Sequence, residues 1–498
     1  MNKVLLLYPP STYILKCGFP LPLLSSYLKK YGHQVKVIDC PGLKMNFSNI
    51  IDEVRMYDPD IIGVSIPSTL MKTDGLKTLE VLRTEFPNKF IIAGGIHVTV
   101  APEEVARLSS MVCLGYGHET LKEIVELYPS LEVFSLPGTA YMKNGMLIVN
   151  EWRPGNFNDM PIPDWDAIPF YEYNDFVITG DPSSRCFPVF SSMGCPYNCS
   201  FCSTSKMSGK KVLLRNIKDV VDEIEIMQRK TGFQYVRLID PNFTINHKHV
   251  IEFCNEILHR NIKIKWGIST TVKNHTEELA KIMKKAGLVR IGFSYESCNE
   301  KILKSIGKHI TKKEMYETTK LYFELGDIMI DSGFIIGFSD DSIETVWETI
   351  SYSASTPIHN IFISFMCPFP GTEMYDIAKR KGEFAEKLLY DASPFEICYI
   401  PPGLKNYNLY NIKKFAFYVF YSWNIDRVKS WLARFKGNED YAQIEQDWME
   451  LYHNRHELTL QYLKAYATTT EIKNGIKFYE PRLIEFSNLH KRSALLNT

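Results

Sequence analysis

Short apolar runs alternate with amphipathic stretches over residues 1 to about 130. The apolar runs are rich in branched aliphatic residues, as buried strands are, and the stretches between them repeat apolar positions at helical spacing. Strands that alternate with helices in this way predict a parallel, doubly wound α/β sheet. The predicted strands are Lys3–Tyr8, Gln34–Asp39, Ile61–Ile66, Phe90–Ala93 and Met111–Leu114, with helical patterns near 21–31, 73–86 and 118–127.

Small residues collect where these predicted strands end. Ligands of doubly wound sheets bind beyond the carboxyl ends of the strands, and glycine there lets the backbone approach a ligand closely. Ordinary turn formation at strand ends explains the same residue types, so this pattern leaves both explanations open. The residues are Ser65, Ser68, Thr69, Gly94, Gly95, Gly115 and Gly117.

A second alternation of strands and helices begins near residue 187. Six strand-helix units predict a parallel barrel or partly open barrel, with functional residues at the carboxyl ends of its strands. The predicted strands are Val189–Ser192, Tyr235–Asp240, Ile264–Thr270, Arg290–Ser297, Ile328–Phe338 and Asn360–Cys367.

The predicted organisation is therefore a sheet domain, a linker, a barrel and a helical cap. The linker is proline-rich and reads as an extended segment. The last segment carries aromatic residues, expected mainly in its core, within helical patterns. The expected boundaries are 1–135, 136–180, 181–380 and 381–498.

Composition is that of an ordinary globular protein. The 498 residues suffice for two or three domains, and 45% of them are hydrophobic. Lysine plus arginine equals aspartate plus glutamate at 57 each, so no net field favours nucleic acid or an anionic membrane. No cleavable leader and no membrane-spanning run is evident. Because the 11 cysteines are scattered, we expect a reducing cytoplasm rather than a disulfide framework.

Three cysteines stand apart from the others by their spacing. Cys195, Cys199 and Cys202 form a C-x3-C-x2-C run after a predicted strand. Three thiolates would hold a [4Fe-4S] cluster and leave one iron open for another ligand. A zinc site with Cys186 or His97 as fourth ligand, or a grouping of buried thiols, is the alternative, although neither residue lies at a usual zinc spacing.

The segment FPVFSSMGCPYNCSFCSTS, which contains these cysteines, resembles the signature of radical S-adenosylmethionine (SAM) enzymes. The resemblance implies a six-unit partial barrel in which SAM chelates the open iron, and Phe201 lies near the adenine. In that family one electron from the cluster cleaves SAM to methionine and a 5′-deoxyadenosyl radical.

The first domain also resembles a known module. YPP, DPDIIGVSIPST, AGGIHVT and LGYGHETL, in this order, are similar to the cobalamin-binding domain that precedes a large subgroup of radical SAM barrels. The resemblance implies cobalamin at the sheet's carboxyl edge. This domain lacks the D-x-H-x-x-G loop that supplies a histidine to cobalt in other cobalamin proteins. We therefore expect no histidine on cobalt, and we expect His97 at the surface or at the corrin edge. The implied contacts are Ser65, Thr69, Gly94, Gly95, His97, Gly115 and Gly117.

Strand ends of the barrel supply the expected SAM contacts. Asp240 matches the position that meets the methionine amino group, with Asn242 beside it, although an Asx turn would explain them too. Glu296 and Ser297 match the segment that approaches the ribose hydroxyls, and Ser297 would otherwise suit a helix N-cap. The predicted strand segment that ends at Gly337 resembles the family segment that lies along the adenine.

The whole combination resembles the cobalamin-dependent radical SAM methyltransferases. It implies methylation of an unactivated carbon in a small molecule, lipid, tetrapyrrole or peptide, with no protein acid or base and with a reductase, flavodoxin or ferredoxin as electron donor. One SAM methylates the cobalamin of such enzymes and a second gives the radical. The rival interpretations are ring formation or porphyrin side-chain oxidation, methylthio transfer, and a cobalamin sensor or electron carrier. Cys17, Cys40 and Cys113 are too dispersed for the extra cluster of methylthio transfer.

Overall fold

The structure is a computed structural model that describes residues 2–11, 20–157, 159–169, 186–386 and 396–422, with a few further positions between 442 and 453. Two α/β units make up this part of the chain, and each has its own sheet. Among the described residues, no helix is long and apolar enough to cross a membrane.

The first unit is built on a seven-stranded sheet with the order β2-β1-β3-β4-β5-β6-β7. The first five strands are parallel, and most residues of β1, β3, β4 and β5 are buried because helices cover both faces of the sheet, whereas the edge strand β2 is more exposed. The strands are β1 Lys3–Tyr8, β2 Gln34–Asp39, β3 Ile61–Ser65, β4 Phe90–Gly94, β5 Met111–Cys113, β6 Thr139–Lys143 and β7 Met146–Val149. The helices are α1 Pro20–Lys30, α2 Cys40–Leu43, α3 Phe47–Tyr57, α4 Lys72–Glu85, α5 Ile96–Val100, α6 Pro102–Ala106 and α7 His118–Leu127.

The expected linker begins too early. Strands β6 and β7 form a hairpin that continues the first sheet antiparallel to β5, so this unit extends to Val149. Asn144 and Gly145 form the turn with φ of 50° and 78°. An Asn-Gly pair between apolar runs is a strong hairpin signal, because both residues tolerate positive φ. The proline-rich composition further on concealed it.

The second unit is a partial barrel. Its six strands are all parallel in the order β15-β14-β13-β12-β11-β8, as expected. The strands are β8 Cys186–Val189, β11 Tyr235–Leu238, β12 Lys265–Thr270, β13 Leu288–Glu296, β14 Met329–Ile336 and β15 Asn360–Phe365. The helices are α8 Thr204–Ser208, α9 Ile217–Thr231, α10 His247–His259, α11 Glu277–Lys285, α12 Glu300–Ser305, α13 Lys312–Leu325, α14 Ile343–Ser355, α15 Glu373–Arg380 and α16 Leu409–Ser422.

The first barrel strand lies earlier than its apolar pattern predicts. It ends at Val189, and the next residues leave the barrel to form a short antiparallel ribbon of β9 Ser192–Met193 and β10 Leu213–Leu214. A second ribbon joins β16 Glu383–Phe384 to β17 Tyr399–Ile400. In the expected helical cap, helix α16 is present and buries Phe415 and Phe420 against the barrel. Most of that cap lies outside the described residues.

Candidate functional site

The three-cysteine loop lies between β9 and α8, at the carboxyl end of the barrel. It begins at Gly194, whose φ of 87° favours glycine. A side chain at this position would collide with the backbone carbonyl of Lys211 and come within 2.7 Å of Ser208 Cβ. The loop therefore starts where only glycine fits, and that glycine directs the next residue, Cys195, into the site.

Neighbouring elements hold the middle of the loop. The Ser200 N–H donates to the carbonyl of Ile306 at 2.9 Å, and the Ser200 carbonyl accepts from the Met374 N–H at 2.9 Å. Gly307, with a φ of 72°, lies directly behind Asn198. The loop is thus fixed between the end of α12 and the start of α15, which a cluster with one open iron requires.

Cys195, Cys199 and Cys202 are all half-buried. Burial raises the pKa of Cys195, and it raises the pKa of Cys199 to about 11, although Lys308 lowers both values. Neutral thiols in such a place become thiolates when iron binds them. In the part of the chain that the structure describes, no three His, Cys, Asp or Glu side chains converge on a single ion. Ligands of three different irons need not converge, so the donor set fits a cluster.

The two alternative zinc ligands are engaged elsewhere. Cys186 is buried in β8, where burial raises the pKa of its thiol to about 12. His97 is fully buried in the first unit; its Nδ1 is 3.3 Å from Thr69 Oγ1 and its Nε2 is 2.9 Å from Glu104 Oε1. Neither residue is available to complete a zinc site with the loop.

Phe201 lies beside the loop that follows β14. Its ring is 5.5 Å from that of Phe338, centroid to centroid. Gly337, with a φ of 104°, and Phe338 both donate backbone N–H bonds of 3.0 Å to the buried carboxylate of Asp341. Sequence reasoning missed this aspartate, which fixes the loop on which Gly337 and Phe338 lie. Adenine contact by Phe201 and Gly337 stays a prediction.

Glu296 ends β13 in a left-handed conformation, with a φ of 67°. Non-glycine residues adopt this conformation at a cost, and such residues often lie in functional sites. Lys308 Nζ donates to Glu296 Oε1 at 2.9 Å, and Lys308 also influences Cys195 and Cys199 electrostatically. Glu296 thus lies near the cluster loop, and a ribose contact by Glu296 stays a prediction. Lys308, the cation of this site, was missed because it lies in a loop after α12 rather than at a strand end.

Asp240 has a structural role that the sequence did not indicate. Its carboxylate accepts bonds from the Ser191 N–H at 2.8 Å, the Ser191 hydroxyl at 2.7 Å and the Ser192 hydroxyl at 2.5 Å. Burial nevertheless raises its pKa. Asn242 accepts from the Thr270 hydroxyl at 2.8 Å. Because the oxygens of Asp240 are already engaged, the geometry does not favour it as the partner of an ammonium, and that contact stays a prediction.

Ser297 is buried and contacts α14 through its hydroxyl. Its hydroxyl lies 3.2 Å from that of Thr349 in α14 and accepts from the Asn299 N–H. The N-cap role expected for Ser297 is wrong, because Asn299 caps α12 by accepting from the Ile302 N–H at 3.0 Å. A ribose contact by Ser297 stays a prediction without support from this geometry.

The carboxyl edge of the first sheet is closely packed at Gly95 but not at Gly94. Ser65 and Thr69 are both buried, and Ser65 pairs in register with Gly94. Gly95 has a φ of 115°, and a side chain there would collide with the carbonyl of Ile66. A Cβ on Gly94 would instead meet only Cys113, at 3.8 Å or more. Space therefore remains beside Gly94, where a large planar ligand could approach.

Of the two positions expected for His97, the surface is wrong and the corrin edge stays a prediction. His97 is buried, and its two ring nitrogens contact Thr69 and Glu104. Glu104 is held in turn by Lys72, whose Nζ is 2.7 Å from Oε2. Both ring nitrogens of His97 therefore lie within 3.3 Å of a protein oxygen, which agrees with the missing D-x-H-x-x-G loop.

The first unit meets the barrel at the cluster loop. A Cβ on Gly115, which has a φ of 68°, would lie 2.7 Å from the Trp152 ring and 3.3 Å from the carbonyl of Met207 in α8. Tyr116 is close enough to Cys195 for the thiol to affect the tyrosine electrostatically; burial is the main reason that its pKa is raised. The sheet edge that carries the glycines therefore borders the cysteine loop.

Two further contacts fix this arrangement. A Cβ on Gly371, in the loop after β15, would lie 2.9 Å from Val100 Cβ at the end of α5. The Phe157 ring packs between Tyr116 at 5.3 Å and Phe190 at 5.7 Å.

Gly117 has an ordinary negative φ, and a Cβ there would be 3.2 Å from Cys113 Cβ. Its role is close packing within the first unit, and corrin contact by Gly115 and Gly117 stays a prediction.

Comparisons with known proteins agree with this geometry. The radical SAM superfamily model matches residues 189–352 and the B12 binding domain model matches residues 19–125. The uncharacterized methyltransferase PH0819 of Pyrococcus horikoshii is 32% identical over 389 residues, which are 76% of this chain and 83% of that protein. The anaerobic magnesium-protoporphyrin IX monomethyl ester cyclase of Cereibacter sphaeroides is 29% identical over 400 residues, which are 77% of this chain and 62% of that protein.

Among solved structures, the fold is similar to that of the cobalamin-dependent SAM radical enzyme OxsB with aqua-cobalamin and SAM bound. The TM-score is 0.69 at 16% identity, over 96% of this chain and 75% of OxsB. The cofactors of this protein are a [4Fe-4S] cluster, SAM and cobalamin. As an enzyme of this type it needs an electron donor and a substrate. The chain belongs to the family of cobalamin-dependent radical SAM enzymes.

Proposed function

We propose that this enzyme transfers a methyl group from SAM to an unactivated carbon of an organic substrate. The observation that carries the proposal is that Gly115 of the first unit packs against Met207 of α8, just after the cluster loop, and that Tyr116 lies near Cys195 of this loop. A ligand at the glycine-rich sheet edge and a ligand at the cluster would then border one cavity. A relative that is 32% identical is described as a methyltransferase, which supports the same reaction class.

When bound, the cluster supplies electrons, SAM supplies both a methyl group and a 5′-deoxyadenosyl radical, and cobalamin carries the methyl group. The chain's own residues bind and orient these groups. Cys195, Cys199 and Cys202 would hold three irons. Glu296 would accept hydrogen bonds from ribose hydroxyls, and Lys308 would offer a cation to a carboxylate.

Water exclusion is the second task of the chain. The aromatic rings of Tyr116, Phe157 and Phe190 pack in sequence between the two units. A radical generated there would be separated from bulk solvent on this side. Hydrogen abstraction and methyl transfer need no protein acid or base, so we assign no side chain to proton transfer.

Product analysis tests the proposal. Methyl transfer uses one SAM as methyl donor and another as radical source, so each methylated product should accompany one S-adenosylhomocysteine and one 5′-deoxyadenosine. With methyl-labelled SAM, a reductant and candidate substrates, the label should appear in the product. A product formed with 5′-deoxyadenosine but with neither label nor S-adenosylhomocysteine would overturn methyl transfer.

The second candidate is a cyclase or oxidoreductase that uses the same cofactors without methyl transfer. The 29% identity to an anaerobic magnesium-protoporphyrin ester cyclase favours it. The same product analysis distinguishes the two, since ring formation or oxidation consumes no methyl group. Methylthio transfer is less well supported, because Cys40 and Cys113 are buried in separate clusters of the first unit. SAM cleavage on reduction would dismiss a cobalamin sensor.

For electron supply we propose a flavodoxin, a ferredoxin or a dedicated reductase in an anaerobic cytoplasm. The half-buried cysteine loop would let a small carrier approach the cluster closely. Purified flavodoxin with its reductase should support SAM cleavage in place of a chemical reductant, and failure of every protein donor would count against this.

A further inference from the structure

Strand β13 shows that the barrel interior is open to solvent. Its residues alternate, with Ile291, Phe293 and Tyr295 buried against the helices, whereas Arg290 and Gly292 face the interior and remain partly exposed. The interior-facing residues Arg237 of β11 and Ser269 of β12 are also partly exposed. A barrel filled with side chains would bury its interior positions. This barrel therefore contains a cavity beneath the edge where SAM binds.

Two arginines lie inside this cavity. Arg290 Nε donates to Asp331 Oδ2, and Asp331 Oδ1 also accepts from Asn360 Nδ2 at 2.9 Å. Arg237 donates instead to the Ser269 hydroxyl at 2.6 Å and to the carbonyl of Ile268 at 3.3 Å. Neither acceptor carries a charge. Among the described residues, Arg237 forms no ion pair.

The charges inside the barrel do not balance. Away from its two ends, the described strands direct Arg237 and Arg290 inward against the single carboxylate of Asp331. Burial lowers the pKa of Arg237 and Arg290 lowers it further, whereas the Asp331 carboxylate raises it. A guanidinium nevertheless stays charged in proteins, so two cations in the cavity share the one carboxylate of Asp331. Buried charges are normally paired, and an anionic ligand would supply the missing partner.

Glycines leave room for such a ligand. Gly267, Gly292 and Gly333 lie on three successive strands of the sheet. A Cβ on Gly267 would be 3.3 Å from Arg237 Nη1 and 3.3 Å from Arg290 Cβ, so this glycine lies between the two arginines. A Cβ on Gly333 would have no neighbour within 4 Å. Gly267 therefore places no side chain between the two arginines, and open space adjoins Gly333.

We propose that Arg237, with Arg290 beside it, binds an oxyanion of the substrate, either a carboxylate or a phosphate, inside the barrel. The identification of this anion as part of the substrate rests on the proposed function. A planar guanidinium suits both anions, because its donors match two oxygens at once. Arg237 is three residues before Asp240, so the site lies about 10 Å below the edge where the cluster loop lies. The substrate would be an elongated molecule whose reacting carbon is distant from its anionic group.

The test measures anion binding by the full-length protein, reconstituted with cluster and cobalamin under anaerobic conditions. Inorganic phosphate and acetate are titrated separately by calorimetry, without SAM. We expect one of them to bind, and Arg237→Gln to weaken that binding about tenfold or more, because a charge-assisted bidentate contact is lost. The preferred probe indicates whether the substrate carries phosphate or carboxylate. Since no turnover is required, failure of methyl transfer would not affect the result.

Arg229→Gln is the matched control, because Arg229 is an exposed arginine on the outer helix α9. It should bind the anion as the unchanged protein does. If Arg237→Gln does not fold, phenylglyoxal modification of the unchanged protein gives an independent measurement. The anion should slow modification of Arg237 but not of Arg229, as followed by mass spectrometry. Absence of anion binding, equal loss in the Arg229 variant, or no protection of Arg237 would overturn the proposal.

Discussion

Lys308 forms an ion pair with Glu296 beside the cluster loop, at 2.9 Å between Nζ and Oε1. The two side chains are only 11% and 13% exposed, so water screens the pair weakly. Glu296 also has a left-handed backbone, with a φ of 67°, at the end of its strand. Glu296 therefore combines a strained backbone, a lysine partner and a position near three cysteines. This combination is the strongest structural sign of a cofactor contact outside the cluster loop.

Replacing Glu296 tests this contact. Glu296→Gln keeps the shape of the side chain and removes its charge, so we expect SAM cleavage to fall roughly 10- to 100-fold through loss of charge-assisted hydrogen bonds. The measurement is 5′-deoxyadenosine formed with dithionite, at several SAM concentrations. Glu317→Gln, on the exposed face of α13, is the control and should be unchanged. Equal activity of the two variants would remove Glu296 from the SAM site.

The cluster cysteines can be separated from the other thiols. Cys195→Ala, Cys199→Ala and Cys202→Ala should each lose the [4Fe-4S] cluster and all SAM cleavage, because each thiolate holds a different iron. Iron and sulfide content and the visible absorption after anaerobic reconstitution provide the measurement. Cys254→Ala removes a buried thiol in α10 and should keep the full cluster. A colourless, zinc-loaded protein would contradict the assignment.

The two glycines after β4 should respond differently to substitution. Gly94→Leu has space for its Cβ and should weaken cobalamin binding without loss of stability, because the side chain would enter the corrin site. Gly95→Leu should destabilise the first unit as a whole, since it collides with the Ile66 carbonyl. Cobalamin binding by absorbance and unfolding by urea measure the two effects. Normal cobalamin affinity in a folded Gly94→Leu variant would place the corrin elsewhere.

Cobalt should have no histidine ligand from His97. Both ring nitrogens of this residue are engaged with Thr69 and Glu104. Paramagnetic resonance of the Co(II) form should therefore lack nitrogen hyperfine coupling from a protein histidine, and His97→Gln should leave the spectrum unchanged. Coupling that disappears in the variant would show that His97 moves to bind cobalt.

Asp39 gives the first unit a defined pH dependence. Burial at the end of β2 raises its pKa from 3.8 to about 6, although the Gly42 N–H opposes this shift. The folded state therefore holds the proton more tightly than the unfolded state. Its contribution to stability is present below about pH 4, falls as the pH rises, and is lost above about pH 6.

Asp39→Asn removes this ionisation and keeps a side chain suited to capping α2. At pH 7 the variant should be more stable by up to about 3 kcal/mol, and at pH 4 the difference should nearly vanish. Urea unfolding at pH 4, 5.5 and 7 measures it. Asp52→Asn, at an exposed position of α3, should show no such trend. A variant that is less stable than the original at pH 7 would show that the folded protein needs the Asp39 carboxylate.

Much of the fold could be predicted from the sequence because its signals are local. The strands of both sheets follow from apolar runs between helical patterns, and the cysteine spacing is itself the cluster signal. The hairpin at Asn144–Gly145 could also have been predicted, because an Asn-Gly pair favours its turn. The prolines that follow led instead to the prediction of a linker. The bounds of the first barrel strand were predicted wrongly because the apolar run continues through Phe190 into the ribbon.

The sequence by itself determined the two-unit architecture and predicted the cluster ligands and the glycine-rich sheet edge, because backbone geometry and ligand spacing are encoded over a few neighbouring residues. Only the tertiary structure decided how side chains far apart in the chain are partnered. It engaged Asp240 with Ser191 and Ser192, buried His97 against Glu104, and set Lys308 against Glu296. Within the described ranges it also left Arg237 without a carboxylate at ion-pair distance. A charged side chain's role depends on which groups surround it after folding, and that information is not local to its own segment.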